Sequence, residues 1–197
     1  MSLEPEDLAR ADLYGVLARL FYAAPDAQFL SELKQRAAGV AGDAPGQALA
    51  AAWRALGDAC AGAFPAHLEN EHTELFVGTG KAEITPYLAH YTMRHESETP
   101  LVALRGQLAR WGLQRRADVF EPEDHVAGLC EVMRFAIAVQ HRSVDEQRNF
   151  FEDYLYEGGV RFFAAIAKSE KARYYKRVAE LARAYFEIER EAFSIAG

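Results

Sequence analysis

Apolar residues recur at three- and four-residue spacing almost from end to end of this chain, and they nowhere alternate in runs bounded by hairpin turns. That period is helical, and the lack of strand-like alternation predicts an all-α fold. Leu13, Val16, Leu17, Leu20 and Phe21 form one stripe of an amphipathic helix that should end near Pro25. Asp26 is placed to cap a second helix carrying Phe29, Leu30 and Leu33. Gly42-Asp43-Ala44-Pro45-Gly46 reads as a turn before a helix through Leu49, Trp53 and Leu56. Pro65 opens a helix to about Val77, and Gly78 suits the left-handed position that ends one. Gly78-Thr79-Gly80-Lys81 and Pro86 then interrupt the pattern. Thr99-Pro100 begins the next helix, with Leu101, Leu104, Leu108 and Trp111 on one side.

Pro122 fits a first helical position, with Glu123 and Asp124 in the first turn beside the positive end of the helix dipole. That helix carries Val126, Leu129, Cys130, Met133 and Ile137 on one face and Val132, Phe135 and Val139 on another, so it should be central. Two further helices, near 144–168 and 170–191, close the chain, and Gly158-Gly159 predicts a kink or break in the first. The pattern predicts a single globular domain over 1–197 with about eight to ten helices, and a candidate hinge at 78–100.

Composition narrows the function classes. Half of the 197 residues are apolar, enough to bury a substantial core. A net charge of −7 argues against nucleic acid as partner and favours a basic one. Cys60 and Cys130 lack CxxC spacing and lie in helical segments, so buried, reduced thiols are expected. The acidic start has no apolar core of a signal peptide, and no run of about 18 apolar residues exists to span a membrane. A cytoplasmic protein is expected.

Two segments carry candidate chemistry. Glu121-Pro122-Glu123-Asp124-His125 sets carboxylates and an imidazole together, followed by small Ala127 and Gly128, where another chain can approach closely. By itself the run is also ordinary helix-capping chemistry. The second segment runs from Glu71 through Leu75, Phe76, Gly78 and Gly80 to Pro86, Tyr87 and Tyr91, and its tyrosines suit a recognition surface or a loop pinned to the core. Gly78-Thr79-Gly80-Lys81 lacks the full spacing of a phosphate loop and the strand before it.

Together the two segments resemble the signatures of the TorD/DmsD/NarJ family of maturation chaperones for molybdenum-cofactor enzymes. Glu71, Leu75, Phe76, Gly78, Pro86, Tyr87 and Tyr91 match the first pattern, and Glu121, Pro122, Asp124 and His125 match the second at the same spacing. The opening Leu-Tyr-x-x-Leu-x-x-Leu-Phe helix extends the resemblance over nearly the whole chain. Ala89 stands where the family usually has Ser, and Gly158-Gly159 stands where it commonly has a tryptophan region.

The resemblance implies a TorD-like all-helical chaperone, not an enzyme. It would bind the twin-arginine signal peptide or the apo form of a molybdenum-cofactor oxidoreductase, delaying export until the cofactor is loaded. Asp124 and His125 are the residues it associates with signal-peptide binding. Glu121, Glu123 and Asp124 are then expected to meet the leader's arginines through charge-assisted hydrogen bonds, and apolar grooves to take its hydrophobic run. A NarJ-like chaperone for the N-terminus of a non-exported subunit is the alternative, and a generic helical interaction protein is a third reading. Family members occur as monomers and domain-swapped dimers. Weak GTP binding is implied by resemblance only, and no nucleotide motif supports it. His67/His72 and His90/His95 are five apart, unlike helical zinc ligands, so no metal is expected.

Overall fold

The stripe from Leu13 to Phe21 is buried along α1 (Pro5–Tyr22), which opens with Pro5 in its first turn and carries Glu6 and Asp7 beside its positive end. Asp26 caps α2 (Ala27–Ala38), its carboxylate accepting from the Phe29 backbone N–H at 2.7 Å. The computed structural model describes residues 4–40, 46–78, 80–93, 100–116 and 119–195. The turn read at 42–45, Thr79, His95, the helix start at Thr99 and most of the hinge's second half lie outside the described residues.

The remaining helices are α3 (Gln47–Ala61), α4 (Pro65–His72), the short α5 (Ala89–Thr92), α6 (Pro100–Arg110), α7 (Val126–Ala138), α8 (Val144–Phe150), α9 (Glu157–Lys168) and α10 (Tyr174–Ile195). No strand occurs among the described residues, and the fold is all-α. α1 packs along α7, α2 along α3, and α10 lies against α3 and α9. Phe21, Phe76, Phe162, Phe163 and Tyr175 interlock at the centre, with Phe76 and Tyr175 centroids 5.0 Å apart and edge-on. Cys60 and Cys130 are buried free thiols.

Two helix starts differ from the sequence reading, those of α7 and α10. α7 begins at Val126, not Pro122. The His125 N–H donates to the Pro122 carbonyl at 3.1 Å, closing a turn, so Glu123 and Asp124 precede the helix instead of sitting in its first turn. α4 runs on into a π turn, Thr73–Val77, closed by the Gly78 N–H donating to Thr73 O at 2.7 Å. Gly78 has φ +66° but extended ψ, and a Cβ there would lie 2.1 Å from the Lys81 carbonyl oxygen. α8 and α9 are joined by a second π turn, Phe151–Tyr156, so 144–168 is one continuous path.

Gly158 and Gly159 do not break that path. They lie in the first turn of α9, where a Cβ on Gly158 would stand 2.9 Å from Leu88 Cβ and Leu88 O, and one on Gly159 2.6 Å from Phe186 Cε2. Here the glycines serve close approach. Finally, α10 starts at Tyr174 because the Glu71 carboxylate accepts from the backbone N–H groups of Arg173, Tyr174 and Tyr175 at 2.7, 3.3 and 2.9 Å. α7 is also less central than its composition implies: Val132 and Phe135 are half-buried and Val139 is exposed at the helix end.

Because the obstacle at Gly158 includes backbone, Gly158→Ala should lower stability by about 1–3 kcal/mol despite alanine's better helix propensity. Urea unfolding should show a reduced midpoint at an unchanged slope.

Candidate functional site

The two sequence motifs, some 35 residues apart, meet through their backbones. Tyr87 and His125 form an isolated antiparallel bridge. Leu88 N donates to Asp124 O, and Val126 N to Pro86 O, each at 2.9 Å. Pro86 has no N–H to offer, so its carbonyl does the pairing. The bridge occupies the Val126 N–H, one of the donors that a helix start leaves unpaired.

His125 then acts as the N-cap of α7, its Nδ1 accepting from the Ala127 N–H at 3.1 Å. That bond assigns the ring proton to Nε2. Burial pushes the imidazole pKa down to about 4, against the opposing pull of Glu121, so His125 is neutral near pH 7. The edge-on Tyr87 ring lies 5.6 Å away, and its hydroxyl donates to Glu121. Burial, then the bond to Glu121, push that phenol up to about 12.

Asp124 turns the other way. Its Oδ2 accepts from Ala89 N at 3.3 Å, tying down α5, while Oδ1 is buried with no hydrogen-bond partner among the described residues. Burial pushes this carboxyl above its ordinary value. Glu123 is the opposite case. Arg105 donates to its Oε2 from Nε and Nη2 at 3.0 and 2.9 Å, and Arg115 Nε stands 3.6 Å from Oε1. The Arg105 pairing holds that carboxyl below its usual range.

Glu121, Pro122, Glu123, His125 and Gly128 line a groove of about 960 Å³ between α1, α7 and the segments 113–116 and 119–123. Its α1 wall presents Leu8, Ala11, Gly15, Ala18 and Tyr22, with Leu8 and Tyr22 exposed. Ion pairs run along the rims: Arg36 with Asp12, Arg19 with Glu32, and Arg134 with Glu131. Glu121, held by a phenol, is in no ion pair with another described residue.

The other residues singled out from the sequence lie away from the groove. Leu75 is fully buried, and Phe76 sits in the aromatic core. Glu71 is engaged at the start of α10 as described above. The Tyr91 hydroxyl donates to Thr85 O at 2.9 Å, and its ring packs on Phe162. Gly78, Gly80 and Pro86 shape the connection between α4 and the bridge. Among the groove residues, the α1 wall and the arginines on Glu123 were missed. The small-residue series Ala11, Gly15, Ala18, facing away from the leucine stripe, was the available signal.

Among the described residues no three His, Cys, Asp or Glu side chains are arranged to hold a metal, and no helix is long and apolar enough to cross a membrane.

The family model for the nitrate reductase delta subunit matches residues 43–163, more than half of the chain. The chain belongs to that family. It is a redox-enzyme maturation chaperone rather than an enzyme, within the TorD/NarJ group that the two motifs resemble. A solved structure from Archaeoglobus fulgidus, assigned as a redox enzyme maturation protein, shares the fold. Its TM-score is 0.53 at 18% identity, covering 91% of this chain and 92% of that one. No curated protein matches the sequence.

The depressed His125 pKa gives stability that is fully present above its unfolded value of 6.5 and is lost as pH falls toward about 4. That span corresponds to about 3 kcal/mol. Asn keeps a capping oxygen without the titration, so His125→Asn should lose less stability between pH 7 and pH 4.5 in urea unfolding, with Asp124 common to both proteins. Glu71→Gln should cost about 1–2 kcal/mol by weakening the α10 cap, with affinity for clients unchanged in the folded fraction by calorimetry.

Proposed function

We propose that this family member binds the N-terminal segment of a molybdenum-cofactor oxidoreductase in the α1/α7 groove, holding the subunit in its apo form until the cofactor is inserted. The observation that carries the reading is the coincidence of the Glu121–His125 motif with a groove of about 960 Å³. That is the upper limit of ordinary small-molecule pockets, about 300–1,000 Å³. Small side chains on Ala11, Ala18 and Gly128 let a helix lie close, the Arg134 side chain covers Gly15, and Leu8 and Tyr22 offer apolar contacts. His125, neutral and fixed as a cap, keeps its Nε2–H as a donor for a carbonyl on the incoming chain.

The family match supports a nitrate-reductase-type catalytic subunit as client. A twin-arginine leader is the second reading, favoured by the Glu121 carboxylate at the groove and by the chain's net charge of −7. Asp124 serves either reading indirectly, by fixing the loop behind His125.

Gly128 allows a direct test. A Cβ there meets only the Glu123 carbonyl oxygen, at an ordinary 3.7 Å. Gly128→Phe should therefore fold with equal or greater stability while filling the groove. Calorimetry against a synthetic peptide from the N-terminus of a nitrate-reductase catalytic subunit should show at least a tenfold loss of affinity, about 1.4 kcal/mol. Unchanged binding would rule the groove out.

A further inference from the structure

We infer that Arg105 and Arg115 set client specificity by occupying the carboxylate that an arginine-bearing leader would need, so that this groove selects segments without paired arginines. The inference rests on the groove being the client site. Glu123 lines that groove, and its side chain is only 14% exposed. Arg105 donates twice to one of its oxygens, and Arg115 stands 3.6 Å from the other. Both oxygens already face a guanidinium of the chain's own. A client arginine reaching Glu123 has to displace an identical group and trade one charge-assisted pair for another, with little net gain. Leaving the residents in place sets like charges side by side.

The same arrangement recurs on the rims, where Asp12, Glu32 and Glu131 each carry an arginine. Glu121 differs, being held by the Tyr87 phenol, so it offers a place for one cation and not for two. The groove's chemistry thus suits an amphipathic segment with an apolar face and at most one basic residue. Arg105 and Arg115 are displaceable, their side chains being 55% and 40% exposed. Removing them should therefore change preference without unfolding the protein.

The test uses a synthetic peptide from the N-terminus of a nitrate-reductase catalytic subunit, made with Arg-Arg or with Gln-Gln at one fixed position before its apolar run. Calorimetry on the wild type should find the Gln-Gln peptide bound about fivefold more tightly than the Arg-Arg peptide, and R105Q/R115Q should bind the Arg-Arg peptide about fivefold more tightly than the wild type does. High salt should abolish the gain, and R105K/R115K, which keeps both charges, should show little of it. The Gln-Gln peptide should bind all three proteins alike. If the Gln-Gln peptide binds and R105Q/R115Q gains nothing for Arg-Arg, or gains equally for both peptides, the specificity role is wrong and the groove reading stands. If neither peptide binds any of the three proteins, the groove reading fails and takes this inference with it.

Discussion

Two backbone hydrogen bonds hold the functional end of this molecule together. The antiparallel pairing of Tyr87 with His125 joins a loop after α4 to the start of α7, and it does so without side-chain identity. Once Val126 N is committed to Pro86 O, the helix cannot begin at Pro122, and His125 becomes its cap. The same pairing sets Tyr87 against Glu121 and Leu88 against Gly158 of α9. The groove wall, the short α5 and the glycine contact on α9 all follow from one register.

That register also separates two neighbouring polar residues. Asp124 lies in the turn that the His125 N–H closes on Pro122, and the two side chains part there: His125 faces the groove while Asp124 faces α5. An aspartate whose buried Oδ1 has no partner among the described residues is costly, and its place behind the bridge ties the loop to α5. Around them the groove's carboxylates are largely neutralised from within the chain. On the proposed reading, recognition draws more on shape and apolar area than on net charge, although the protein as a whole is acidic.

Much of this was legible beforehand, and what was not has identifiable causes. Asp26, Pro65 and the α1 stripe are local signals, read within one turn of helix, and they hold. Pro122 misleads because its local preference for a helix start is overridden by a backbone partner 36 positions upstream. Gly158-Gly159 misleads because glycine also marks close approach, and Leu88 and Phe186 are distant in sequence. The π turns at Thr73–Val77 and Phe151–Tyr156 add a residue to a helical turn without altering its apolar period enough to be noticed. The motif spacing identified the site's location, but the division of labour within it depended on which way each side chain turns. The arginines on Glu123 come from α6 and the segment after it, with no local pattern to announce them.

Photocrosslinking from single introduced probes, in the complex with the apo oxidoreductase subunit, reads out whether a client's N-terminus lies between α1 and α7. A benzoylphenylalanine at Val132, inside the groove, should attach to the client's N-terminal segment, and one at the exposed Ile195 should not. Equal labelling from both positions, or attachment from Val132 to the folded body of the subunit alone, would contradict the account.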